Sequence, residues 1–145
     1  MGSFSKGWHH FCTITHHKGL VLRHCFKVGL YWQGIVHDLS KYSYTEFRVG
    51  VHYYQGDRSP NTAERADIGY STAWMHHKGR NKHHYEYWTD MRANRDATFE
   101  GKPIPTRYVV EMLCDRVAAS KVYQGSAYKD DSALNYFKPV SYTHL

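Results

Sequence analysis

The residues best suited to chemistry in this sequence are histidines and aspartates that recur along the chain in a spaced order. His37 and Asp38 are adjacent in GIVHDLSKY, a histidine pair precedes them in THHKGLVL, and four histidines follow in HHKGRNKHH. A later aspartate, Asp115, lies in VEMLCDRVAASK. Neutral imidazole and ionised carboxylate bind Zn, Mn, Fe, Co and Ni well. The set therefore predicts a site for one or two divalent transition-metal ions.

Cysteine takes no part in this pattern, which disfavours a structural zinc site. The chain has three cysteines, Cys12, Cys25 and Cys114, without CxxC spacing. An odd number of this kind argues against a disulfide framework and favours a reduced, cytoplasmic protein. No signal-peptide h-region and no long apolar window is present, so we expect no membrane partner.

Positive charge is concentrated near the candidate ligands. The formal net charge is +6; Lys41 closely follows the His-Asp pair, and Lys78, Arg80 and Lys82 lie among the clustered histidines. Such charge attracts a phosphate-bearing ligand, although a solvated basic surface is the alternative interpretation. Lys41 and Arg80 are the candidates for holding phosphate, with Lys78 and Arg116 as alternatives. The sequence has no long basic arm, so nucleic acid is possible but not the favoured partner.

The elements that must position these residues are predicted to be helices. Apolar periodicity and capping signals predict helices over about residues 8 to 28, 34 to 42, 44 onward, 61 to 77, 82 onward and 106 to 123. No stretch alternates with period two, and 145 residues suit one domain. We therefore expect an all-α fold, a single compact bundle of about five to seven helices.

Helical spacing indicates which faces carry the ligands. On the first predicted helix His17, Val21 and His24 share a face, so this helix can direct His17 inward. The second predicted helix carries His37 and Asp38. The last predicted helix has an apolar side made of Val109, Val110, Met112, Leu113, Val117, Ala118 and Val122.

The four clustered histidines cannot be separated by spacing alone. The segment from Gly79 to Asn81 is short enough to bring the end of one predicted helix beside the start of the next. This favours His77 and His84 as ligands, with His76 and His83 as alternates. The remaining histidines outside the C-terminal tail, His9, His10, His24 and His52, are expected on the surface or satisfied in the core, and His16 is an alternate to His17.

The C-terminal VSYTHL, residues 140 to 145, resembles one translated frame of a transposon-end adapter used in sequencing libraries. We expect that it is not native and that the natural protein diverges after about Pro139. His144 is therefore not a candidate ligand.

Two segments carry a resemblance to a known superfamily. GIVHDLSK resembles the LLHDIGK segment of the HD-domain metal-dependent phosphohydrolases, and EMLCDRVAAS resembles their last-aspartate segment, often written ADRLAAL. The chain up to about residue 137 also resembles a group of small bacterial and phage proteins of unknown function with HDLSKYS, HHKGRNKHHYEYW and CDR motifs. The resemblance implies an HD-like metal-binding domain over residues 1 to 139.

The resemblance also implies a ligand set. His17, His37, Asp38 and Asp115 match the positions that hold the first metal, and the histidines between Asp38 and Asp115 would hold a second. Asp38 would bridge the two ions and act in catalysis. Glu111 and Glu86 are candidates for orienting ligands.

The implied function is hydrolysis of a nucleotide or another small phosphomonoester. Tyr85, Tyr87 and Trp88 follow the cluster and are candidates for stacking on a base, or else for the core. One alternative is an HD-type di-iron oxygenase, and a second is a non-catalytic protein that binds nucleic acid or a partner. The GYP-type segment of signalling relatives is absent, so cyclic dinucleotide hydrolysis is not supported.

Overall fold

The computed structural model describes residues 3 to 93 and 98 to 135, and most of them are helical. The prediction of an all-α bundle with five to seven helices is confirmed. The α-helices are α1 (Ser3–Lys27), α2 (Tyr31–Val36), α3 (Tyr44–His52), α4 (Pro60–Ile68), α5 (Thr72–Lys78) and α6 (Thr106–Gln124). Short 3₁₀ helices span Leu39–Tyr42, Tyr85–Trp88 and Gly125–Ala127. The predicted tail, residues 140 to 145, lies outside the described residues.

The long helix α1 places one face inside the bundle. Its buried residues recur at helical spacing, and they are His10, Ile14, His17, Val21 and Cys25. The C-terminal part of this face packs on α6, where Val21 and Cys25 form a small core with Cys114 and Ala118. The N-terminal part carries the histidines His10 and His17. A single face of α1 therefore joins the apolar core to a polar interior.

That polar interior is unusual for a small domain. Within the described residues the buried polar set is His10, His17, His37, Asp38, Glu46, Glu64, Ser71, His77, His83, Glu111 and Ser132. Several large apolar side chains are exposed instead, among them Trp32 and Leu113. Burying charge without compensation is costly, so an interior of this kind indicates a ligand site rather than an ordinary core.

The second helix is shorter than predicted, and it does not carry the His-Asp pair. α2 ends at Val36, and His37 and Asp38 lie in the break before the 3₁₀ helix. Asp38 adopts a left-handed φ of 53° and is the one non-glycine residue of the described ranges with a positive φ. Aspartate tolerates this conformation better than most residues. The prediction was wrong because helical periodicity does not report a left-handed residue.

The predicted helix over 61 to 77 is two helices. α4 ends at Ile68, and Gly69 follows it with a φ of 84°. Ser71 then caps α5 by accepting a hydrogen bond from the Trp74 amide at 3.0 Å. The predicted cap of α3 is present, since Ser43 Oγ accepts from the Glu46 amide at 3.5 Å. Local cap signals were informative, but the glycine stop inside the pattern was missed.

The segment after Asn81 does not form the predicted α-helix. It runs as turns into the 3₁₀ helix at Tyr85 and then into a small antiparallel hairpin, β1 (Thr89–Met91) and β2 (Phe99–Gly101). Asp90 pairs with Glu100 at its centre. Strands this short leave no clear alternation in the sequence.

The bounds of α6 agree with the prediction, but its buried side agrees only in part. Ala118 is buried and Val110 packs against the core, as predicted. Glu111, Cys114 and Ala118 are buried, whereas Val109 and Leu113 are 43% and 59% exposed. The helix is therefore turned so that Glu111, not Leu113, points inward. Within the described part of the chain, no helix is long and apolar enough to cross a membrane.

Candidate metal centre

The break that carries His37 and Asp38 is held in place from α1. Lys18 Nζ donates to the carbonyl oxygens of Ile35 at 2.8 Å and His37 at 2.7 Å. These carbonyls lie at the end of α2, where no helical amide can bond them. Lys18 therefore fixes the turn in which Asp38 takes its left-handed conformation, and both Asp38 oxygens are buried.

The first ligand group consists of His17, His37, Asp38 and Asp115. His17 Nε2 lies 2.9 Å from Asp115 Oδ1 and 3.8 Å from Asp38 Oδ2. His37 Nε2 lies 3.3 Å from each of the same two oxygens. α1, the break after α2 and α6 thus bring these four side chains to one point.

The second ligand group consists of Asp38, His77, His83 and His84. His77 Nε2 lies 3.3 Å and His83 Nε2 lies 3.4 Å from Asp38 Oδ1. His77 comes from the end of α5, and the other two histidines come from the turns that follow it. Asp38 is shared, because its Oδ2 faces the first group and its Oδ1 faces the second.

The spacing of these atoms fits metal ligation. Ligand atoms about 2.1 Å from a divalent ion lie about 3.0 to 3.4 Å from one another in octahedral or tetrahedral geometry. Asp38 Oδ1 and the Nε2 atoms of His37, His83 and His84 are buried without a hydrogen-bond partner, and Asp38 Oδ2 is buried with the Lys41 ammonium beside it. Buried polar atoms rarely lack partners, so their convergence is compatible with metal ions as the partners. The residues present fit one or two transition-metal ions.

The other ring nitrogen of three ligands is bonded to a carboxylate. His37 Nδ1 lies 3.0 Å and His83 Nδ1 lies 3.2 Å from Glu111 Oε1. His77 Nδ1 lies 2.8 Å from Glu46 Oε2. A carboxylate at this position fixes the tautomer in which Nε2 has a free lone pair for a metal. Glu111 orients one histidine of each group and so couples the two groups.

The charges of the metal-free centre shift its pKa values strongly. Burial favours neutral His37, but the nearby carboxylates of Asp38 and Asp115 outweigh it and raise the pKa well above 6.5. Burial is likewise outweighed at His77, where Asp38 raises the pKa to about 9. At Asp38 the charges of His37 and Lys41 outweigh burial, and at Asp115 hydrogen bonds with His17 and His37 do so; both pKa values lie well below 3.8. In the metal-free protein, protons on His37 and His77 therefore supply part of the positive charge that bound metal ions would supply.

A cavity of about 460 Å³ opens above the two ligand groups. His17, His77, His84 and Asp115 line one end of it, together with Lys41. Lys41 Nζ lies 2.6 Å from Asp38 Oδ2. Burial disfavours the Lys41 charge, but Asp38 and Asp115 outweigh burial and raise its pKa, so a fixed cation faces the cavity.

The structure brings together all six predicted metal ligands and one of the two alternates. His83 joins the second group beside His84. His76 does not join it; its Nδ1 lies 2.6 Å from Glu46 Oε1, on the far side of that carboxylate. The predicted role of Glu111 in orienting ligands agrees with its contacts to His37 and His83. The contact of Glu46 with His77 was not predicted, although Glu46 lies in the first turn of α3.

Other candidates are placed less favourably. Arg80 is exposed, approaches the His76 carbonyl at 3.4 Å, and does not line the cavity. Arg116, an alternate, does line it. Of the three aromatic candidates only Tyr85 does so, since Tyr87 and Trp88 pack on each other outside. His10, expected on the surface or in a satisfied core, is buried on the cavity wall, and its Nδ1 has no partner.

A family model described as "Family of unknown function (DUF5662)" matches residues 6–144. Comparisons with curated proteins and with solved structures gave no match.

Proposed function

We propose that this chain, which belongs to the DUF5662 family, is a metal-dependent phosphohydrolase. It has an HD-like centre and acts on a small phosphomonoester. The observation that carries the proposal is Asp38, whose two oxygens face two separate histidine groups beneath a cavity that contains the Lys41 cation. A bridging carboxylate of this kind suits a binuclear centre.

The first ion would be held by His17, His37, Asp38 and Asp115, and the second by Asp38, His77, His83 and His84. When bound, the ions supply Lewis acidity that polarises a phosphoryl oxygen and offsets the charge that grows on it during substitution. Imidazole and carboxylate ligands suit Mn, Fe, Co, Ni or Zn.

The chain's own cations hold the phosphate. Lys41 is anchored by Asp38 at 2.6 Å, so its ammonium is positioned before a substrate arrives. Arg116 follows the candidate ligand Asp115 on α6 and also lines the cavity. Arginine can bind two phosphate oxygens at once, whereas lysine acts as a point charge. Together these two residues bind and orient a dianion beside the ligand groups.

Glu86 is placed to handle a proton. It lines the cavity two residues after His84, and its Oε2 is buried without a hydrogen-bond partner. We assign to Glu86 the transfer of a proton to the leaving oxygen of the ester as the bond of that oxygen to phosphorus breaks. This transfer would lower the cost of expelling an alkoxide.

The test is hydrolysis of p-nitrophenyl phosphate by protein reconstituted separately with Mn, Fe, Co, Ni and Zn, with and without oxygen. We expect oxygen-independent release of phosphate with at least one metal. Lys41→Ala should lower kcat/KM about 100-fold, since a positioned charge is lost. Lys78→Ala is the matched control, because Lys78 lies on α5 outside the cavity.

Two results would replace the proposal. Mixed-valence iron with oxygen-dependent turnover would indicate the oxygenase. Metal-free protein that binds nucleic acid with a steep salt dependence and hydrolyses no ester would indicate a binding protein.

A further inference from the structure

The cavity extends well beyond the ligand groups. α1 lines it from His17 back to His10, which lies two helical turns earlier on the same face. Two turns span about 10 Å along a helix. A phosphate bound beside Lys41 would fill only the near end. The far end must therefore contact the rest of the substrate.

Several neutral hydrogen-bonding groups line the far end. Thr13 Oγ1 and Tyr54 OH lie 3.0 Å apart on its wall. Ser59, Asn61 and Thr62, at the start of α4, line it as well. Hydroxyl and amide groups can each donate and accept, so they match a ligand that also does both.

The far end also has little net charge. Arg58 forms two hydrogen bonds with Asp57, at 3.1 and 3.0 Å, so the charges of this pair offset each other. Burial, followed by the Lys41 charge, lowers the pKa of His10 to about 4, so its ring is neutral at pH 7. Gly50 leaves room for the His10 ring, since a Cβ at this position would lie 2.1 Å from His10 Nε2.

Two tryptophans near the site, Trp74 and Trp88, lie away from the far end. Trp74 packs on His77 and His84, with ring centroids 5.6 and 4.7 Å apart, so it belongs to the metal end. Trp88 donates to the Lys82 carbonyl and stacks near Tyr108, outside the cavity. Two tyrosines line the far end: Tyr54, whose hydroxyl bonds Thr13, and Tyr123, whose hydroxyl bonds Ser59. Their hydroxyls add to the hydrogen-bonding groups of this end, and the adenosine probe described below tests whether their rings accept a base instead.

We infer that the cavity selects the phosphomonoester of a sugar or similar polyol, with the phosphate at the Lys41 end and the hydroxyls at the Thr13–Tyr54 end. The inference rests on the proposed function, because it assumes a phosphate at the ligand groups.

The experiment measures binding by calorimetry, with metal-loaded protein and three non-hydrolysable probes. These are the phosphonate analogues of glucose 6-phosphate and adenosine 5′-monophosphate, together with phenylphosphonate. We expect the sugar phosphonate to bind most tightly. Tyr54→Phe should reduce its preference over phenylphosphonate about five- to tenfold, because one hydrogen bond at the far end is lost.

Adjacent residues supply the controls. Tyr53→Phe removes a hydroxyl that donates to Asp67 at the surface, so it should leave the preference unchanged. If Tyr54→Phe fails to fold, Thr13→Val tests the same wall. Its control is Thr15→Val, since Thr15 bonds Tyr42 at an exposed position.

The outcomes separate the two proposals. Tightest binding of the adenosine phosphonate, or equal weakening of all three probes by Tyr54→Phe, would overturn the inference alone if phenyl phosphate is still hydrolysed. A Tyr54-dependent sugar preference without hydrolysis of any phosphate ester would support the inference and overturn the proposed function. Absence of binding by every probe would overturn the inference, and absence of hydrolysis as well would overturn both.

Discussion

The two ligand groups share Asp38 but are built from different kinds of structure. The first takes His17 and Asp115 from the two longest helices, α1 and α6, which pack on each other. The second takes His77 from the end of seven-residue α5, and His83 and His84 from turns. Helix packing therefore positions two of the four ligands of the first group, whereas polar side chains position the histidines of the second. We expect the first group to bind its ion more tightly.

Those supporting side chains are visible around α5. Glu64 is buried and accepts hydrogen bonds from Ser71 Oγ at 2.6 Å and Thr72 Oγ1 at 2.5 Å. Glu46 holds His77 from α3. Asn81 donates to the His77 carbonyl at 2.8 Å and so closes the turn toward His83. The second group thus depends on a few individual hydrogen bonds.

The largest expected effect is that of Asp38→Ala, which should abolish metal binding at both groups. It removes the one carboxylate that the groups share and leaves their histidines without it. Elemental analysis of purified protein checks this, with Asp67→Ala as the control at a surface position. Metal content unchanged in Asp38→Ala would contradict the shared centre.

A smaller loss is expected from His77→Ala, which should remove only the second ion. His76→Ala is its matched control, because both imidazoles contact Glu46 but only His77 faces Asp38. Elemental analysis and metal titration should show the first ion retained in His77→Ala and both retained in His76→Ala. If His77→Ala lost both ions, or neither, the assignment of His77 to the second group alone would be contradicted.

Glu64→Gln tests the support of the second group without touching a ligand. The buried charge-assisted bonds to Ser71 and Thr72 would weaken, which should cost about 1 to 3 kcal/mol of unfolding free energy. Thermal melting should show a drop of several degrees, and competition with a chelator should show faster loss of the second ion. If both ions were lost equally faster than in the wild type, α5 would not support the second group independently of the first.

The smallest effect is a pH dependence of the metal-free protein. Asp38 overcomes the effect of burial and raises the pKa of His77 from 6.5 to about 9, so between these values the native state holds a proton that the unfolded state releases. Stability should therefore fall as pH rises from 6.5 to about 9. Melting in a chelator checks this. Saturating metal should remove the fall, since it displaces the proton; a rise in the chelator would contradict the assignment.

Much of the fold followed from local signals. The ends of α6 and the Ser43 cap were predicted because periodicity and caps act within a few residues. The break after α2 and the stop at Gly69 were not, since each depends on a single backbone conformation inside an otherwise helical pattern. Apolar periodicity placed Leu113 rather than Glu111 on the buried side of α6, because it assigns a charged residue to the solvent. The inward position of Glu111 was indicated only by its place one turn before Asp115, as a candidate for orienting a ligand.

The sequence by itself determined the types and order of the candidate ligands, because imidazole and carboxylate are the groups that suit a transition-metal site where they meet. Tertiary structure alone decided which atoms meet. It brought His83 in beside His84, left His76 behind Glu46, and turned one Asp38 oxygen to each group. These outcomes depend on the left-handed Asp38 and on contacts between residues far apart in the chain, which local patterns do not encode.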